Sequence, residues 1–203
     1  SPKLTRLSVF MQNQIGTQDT KKLSNLMRQL KNLEALELSL FLMDGLSSLF
    51  YVIDECLSLK YLSCSFNLTE SKDDMDIIPF ASKLLNCEKL VGLALEMHNS
   101  VHTKEANMQR MKYSLLSSLC LNLDKLKNLR YLYVQGNSKL ERPFAWQLSQ
   151  KIDLSNIRGL KELIIRGIDM SDLNFKALFA KSQKILSVQK LVIEWLGSYE
   201  TPG

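Results

Sequence analysis

The spacing L-x-x-L-x-L runs through this chain seven times. It fits at Leu4-Leu7-Val9, Leu33-Leu36-Leu38, Leu59-Leu62-Cys64 and Leu90-Leu93-Leu95, then at Leu129-Leu132-Val134, Leu160-Leu163-Ile165 and Val188-Leu191-Ile193. The first positions lie 29, 26, 31, 39, 31 and 28 residues apart. Self-similarity at a near-constant period is the mark of an architecture built from stacked units. In each copy the last two motif positions stand two residues apart, the period of a strand with one buried face.

Between copies the period changes to that of a helix. Leu23, Leu26, Met27 and Leu30 lie at i, i+3, i+4 and i+7, and Leu46, Leu49, Phe50 and Ile53 repeat the stripe. Pro79 and Pro143 each open such a stretch, where a proline's missing N–H costs nothing. Ser171 is a candidate cap for the segment DLNFKALF, with Asn174 three residues on. Each unit thus reads as strand, turn and helix. Strands that recur in one direction after a helix must pair parallel. One unit cannot bury its leucine face alone, so stacking is what makes a continuous core.

In these residues the chain resembles the leucine-rich-repeat proteins, whose pattern is L-x-x-L-x-L-x-x-N/C. The long repeats with helices point to the ribonuclease-inhibitor-like subtype, and the resemblance covers essentially all 203 residues. It implies an α/β fold: a curved solenoid, or horseshoe, of about seven repeats with parallel concave strands and convex helices. It also implies a role in binding proteins rather than in catalysis. The asparagine position holds Asn67 and Asn137 in two copies but Gln12, Phe41, His98, Ile168 and Leu196 in the others, so the repeats are irregular. We expect Asn137 to turn the chain out of its strand.

Residues 1–203 are expected to form a single domain, an excerpt of a longer chain or one whose ends a partner covers, because it opens SPKLTRL and neither end shows a polar cap. The 39-residue interval carries an insertion at about 97–118 that includes both histidines, His98 and His102. Insertions in solenoids map to loops at one face and often carry binding.

The composition, 45% apolar and 23% charged, is that of a soluble globular protein. The most apolar region, 38–53, is interrupted by Asp44, Gly45, Ser47 and Ser48 and falls short of a membrane span. No secretory segment opens the chain. Cys56, Cys64, Cys87 and Cys120 form no C-x-x-C pair and read as reduced, buried thiols of an intracellular, cytoplasmic protein. The sequon Asn67-Leu68-Thr69 would matter only after secretion.

Chemical motifs are few. His98 and His102 have the spacing of a zinc pair, but Asn99-Ser100 argues for a turn and no carboxylate or thiol completes the set. There is no P-loop, G-x-S-x-G or G-x-G-x-x-G. Asp73, Asp74 and Asp76 suit a solvated loop better than a calcium site. We expect no cofactor, no metal and no enzyme activity.

The residues between the leucines should face the concavity. These are Arg6, Ser8 and Phe10; Ala35, Glu37 and Ser39; Tyr61, Ser63 and Ser65; Gly92, Ala94 and Glu96. They continue with Tyr131, Tyr133 and Gln135; Glu162, Ile164 and Arg166; Lys190, Val192 and Glu194. Acids and bases are nearly balanced there, which argues against a nucleic-acid cradle. Exposed tyrosines on a rigid sheet are characteristic interface anchors. The expected site is therefore a protein- or peptide-binding face made by Phe10, Glu37, Tyr61, Glu96, Tyr131, Tyr133 and Arg166. The alternative is binding of nucleic acid or another acidic surface along a basic rim of Lys3, Lys31, Lys60, Lys89, Lys125, Lys127, Arg130 and Lys161, all at or just before strand starts.

Overall fold

The fold is given by a computed structural model that describes residues 3–15, 17–42, 53, 56–68, 83–84, 86–99, 125–138, 159–168, 176–177, 179–180, 183 and 187–195. Each of the seven copies forms a strand. They are β1 (Arg6–Ile15), β2 (Ala35–Leu42), β3 (Tyr61–Leu68), β4 (Gly92–Asn99), β5 (Tyr131–Ser138), β6 (Glu162–Ile168) and β7 (Lys190–Trp195). A helix, α1 (Thr17–Gln29), joins the first two strands. The strands form one open sheet in chain order, and every neighbouring pair is parallel. An α/β chain laid down as one parallel sheet in sequence order is consistent with a repeat solenoid.

The register follows the repeat. Leu7, Leu36, Leu62, Leu93, Leu132, Leu163 and Leu191 are paired in a row across all seven strands. Two residues on, Val9, Leu38, Cys64, Leu95, Val134, Ile165 and Ile193 form a second row. From β2 to β6 both rows are fully buried. In β1 and β7 the same residues are half-buried, because an outermost strand has a neighbour on one side only.

The first leucine of the motif does not sit on the strand. Leu33, Leu59, Leu90, Leu129 and Leu160 lie in the turn before it and are buried. The turns close by i to i+3 bonds. Leu30 N–H donates to Met27 and Leu33 N–H to Leu30; Cys56 to Ile53 and Leu59 to Cys56; Cys87 to Leu84 and Leu90 to Cys87. This spacing of three adds two buried apolar positions ahead of the copies at Leu33, Leu59 and Leu90. Cys56 and Cys87 fill one of them, and Cys56, Cys64 and Cys87 are buried thiols that form no disulfide with one another.

Beyond the turn, one carbonyl per repeat accepts two N–H groups from the next. Thr5 accepts from Glu34 and Ala35, Glu34 from Lys60 and Tyr61, Lys60 from Val91 and Gly92. Val91, Arg130 and Lys161 continue the series toward β7. Backbone groups at the strand starts are thus satisfied between repeats rather than within one.

Several expectations change. The stripe of α1 is Thr20, Leu23, Ser24, Met27 and Leu30, all buried, while Leu26 is 46% exposed. At 100° per residue Leu26 falls at the margin of that face, so the wetter edge takes it. The asparagine position does not end the strand: Asn67 and Asn137 lie inside β3 and β5. The β5–β6 ladder instead shifts register between Gln135 and Ser138, where Gly136 and Gly167 approach so closely that a Cβ on Gly167 would lie 2.2 Å from the Gly136 carbonyl oxygen. Gly167 has φ of +64°, which only glycine adopts without cost. Asn99, expected in a turn, is in β4. The stripe Leu46, Leu49 and Phe50, Pro79, Pro143, Ser171, Asn174, Cys120, His102, the acidic cluster at Asp73 and the insertion beyond Asn99 lie outside the described residues.

Candidate functional site

Strand alternation turns every second residue away from the buried rows. The parallel register aligns these residues too. Arg6, Ala35, Tyr61, Gly92, Tyr131, Glu162 and Lys190 form one row on the open face. Ser8, Glu37, Ser63, Ala94, Tyr133, Ile164 and Val192 form the next. Their members from β1 to β6 bound a groove of about 420 Å³ that crosses those six strands.

The groove has aromatic walls and a floor almost without side chains. Tyr61 and Tyr131 stand 47% and 38% exposed on either side of Gly92. The Tyr61 ring leans over Gly92, where a Cβ would lie 2.8 Å from its Cδ1. Ala35 and Ala94 keep the flanking floor low. Two carboxylates reach the groove. Glu37 accepts a hydrogen bond of 2.9 Å from the Ser8 hydroxyl, and Glu162 lies 3.4 Å from the Lys190 ammonium.

A polar cluster adjoins the groove at Tyr133. Its hydroxyl donates to Gln135 Oε1. Burial raises the phenol above its ordinary pKa, the Glu96 carboxylate adds to the rise, and the Arg166 guanidinium opposes it. Arg166 Nε lies 3.4 Å from Glu194, within ion-pair range but without a hydrogen bond. Glu96 lies 3.5 Å from His98 Nε2.

Of the residues expected to bind, Glu37, Tyr61, Tyr131 and Tyr133 come together in the groove. Glu96 and Arg166 stand one row further along the strands and act on Tyr133. Phe10 is apart. It is 64% exposed and lines a second depression of about 390 Å³ with Gln12, Ser39, Ser65 and His98 among others. The expected residues therefore fall in two separate concavities rather than one patch. Gly92, Ala94 and Glu162 shape the groove but were not singled out from sequence. The available signal was a glycine and an alanine at solvent-facing strand positions, where a side chain would normally be wanted.

The basic rim is partly engaged. Lys60 Nζ bonds Glu34 at 2.9 Å. Arg130 Nη1 lies 3.3 Å and 3.2 Å from the Lys127 and Leu129 carbonyls, and its guanidinium rests on Gly159, where a Cβ would lie 1.9 Å from Nη1. Lys3, Lys31, Lys89, Lys125, Lys127 and Lys161 are exposed.

Among the described residues no cluster of His, Cys, Asp and Glu is placed to hold a metal ion, and no helix is long and apolar enough to cross a membrane. No protein-family model matches the chain, and no curated protein matches it either.

Proposed function

We propose that the chain is a leucine-rich-repeat solenoid of the ribonuclease-inhibitor-like type, and that it is a non-enzymatic module binding a protein or extended peptide on the concave side of its strands. The observation that carries this reading is the groove: two exposed tyrosines across a glycine floor, on a sheet whose two aligned apolar rows are buried on the other side from β2 to β6. Large, rigid aromatic rings at a concave site contribute contact area with few rotors to freeze. Buried cysteines that form no disulfide with one another suit a reducing, intracellular setting.

The exposed lysines before the strands favour a second reading, contact with an acidic surface along one rim. Capture from a native lysate with mass spectrometry separates the two. A version with Tyr61, Tyr131 and Tyr133 all changed to alanine, and still folded by circular dichroism, should lose a specific protein that the parent retains. Identical capture lists would overturn the groove reading. Binding that falls steeply with salt and survives the tyrosine changes would favour the rim.

A further inference from the structure

We infer that the groove takes an extended, basic peptide segment and seats an arginine or lysine side chain over Gly92 between Tyr61 and Tyr131. This rests on the reading of the groove as a protein-binding site and names the chemistry of its occupant.

Charge is the first argument. The whole chain is positive, at +5, but the groove is lined by two acids, Glu37 and Glu162, against one base, Arg6. Arg6 is on β1, at the far end from Glu162 on β6. Placement is the second. Glu162 is the register partner of Tyr131, and Glu37 lies on the strand beside Tyr61. Tyr131 therefore has a carboxylate about one strand spacing away, roughly 4.8 Å, and Tyr61 has one on the diagonal, roughly 7–8 Å away. Aromatic faces attract cations, and a guanidinium can stack on a ring while its N–H groups reach a carboxylate. Gly92 and Ala94 carry little side chain of their own, so once the exposed Tyr61 ring swings off Gly92 such a side chain can enter between the two tyrosines.

Glu162 already faces Lys190, but at 3.4 Å with the two side chains 37% and 55% exposed. A pair that open to water holds its partner weakly, so a ligand cation can replace Lys190 at little cost. The length of the groove sets the length of the segment. Six strands span roughly 24 Å, which about seven residues of extended chain cover.

The test uses positional-scanning libraries of capped heptapeptides, with one position fixed, on the whole chain. The expected result is selection of Arg or Lys at one position, about three- to tenfold over Leu or Glu, the range of a partly exposed cation–aromatic contact with a carboxylate beside it. The preference should vanish in Glu37→Gln/Glu162→Gln, whose shape is unchanged, and bound peptide should compete with protein captured through the tyrosines. Selection of acidic or purely apolar residues, or of no peptide at all, would overturn the inference. Tyrosine-dependent capture of a protein from lysate would still stand in that case. Loss of that capture would overturn the groove itself.

Discussion

At the scale of single residues, three glycines in like surroundings are not equivalent. Gly167 combines a left-handed backbone with a rigid obstacle, the Gly136 carbonyl oxygen 2.2 Å from a prospective Cβ. Gly92 meets only the Tyr61 ring, and Gly159 only the tip of Arg130, and both can swing away. Gly167→Ala should therefore destabilise the chain by about 2 kcal/mol or more, from the backbone penalty and the backbone clash. Gly92→Ala should cost under about 1 kcal/mol yet weaken partner binding, because Tyr61 must move. Urea denaturation ranks the two, and equal losses would mean the bulge is not rigid. Cys64 supplies a pH test. Burial pushes its thiol far above the ordinary range, so the folded chain keeps a proton that the unfolded chain releases above about pH 8.5. The protonated thiol's contribution is intact below that pH and is lost as pH rises beyond it, by about 2 kcal/mol between pH 8 and 10. Cys64→Val, which matches Val9 and Val134 in the same row, should remove that share of the slope. An unchanged slope would assign the alkaline loss to other groups.

At the scale of elements, the strands were the most legible part of the sequence. Their apolar pairs must alternate to share one face, and seven aligned copies leave little freedom in register. Their ends were less so. Asn137 suggested an exit, but the backbone ladder with the next strand continues past Asn67, and between Asn137's strand and the next it shifts at the Gly136–Gly167 approach. The helix face was off by one side chain, since Leu26 and Met27 are adjacent and a propensity pattern cannot decide which edge the next layer covers. Met27→Ala should cost about 2–5 kcal/mol, and Leu26→Ala no more than about 0.5 kcal/mol. Denaturation of the two variants checks the assignment, and comparable losses would place Leu26 in the core after all. The site was half legible. Tyr61, Tyr131 and Tyr133 were visible as aromatic residues at solvent-facing positions. The separation of Phe10 from them, and the floor that gives the groove depth, depend on how far side chains lean across strands, as Tyr61 does over Gly92.

At the scale of the whole molecule, the sheet is a one-dimensional stack in which each strand meets only its neighbours. Stability should then be greatest in the middle. Backbone amides of β3, β4 and β5 should exchange with solvent slowest, and those of β1 and β7, whose apolar rows are only half-buried, fastest. Uniform protection across all seven strands would show a fully cooperative unit instead. The same stack holds Tyr61 and Tyr131 at a fixed separation on either side of Gly92, which is why a binding role is argued for this face. The most direct test is site-specific photo-crosslinking in native lysate. A benzophenone side chain would replace Ser63 in the groove or Lys22 on α1, whose side chain is 77% exposed. The account predicts a discrete crosslinked protein from position 63 that is absent from position 22. Crosslinks from position 22 alone, or the same products from both, would contradict it.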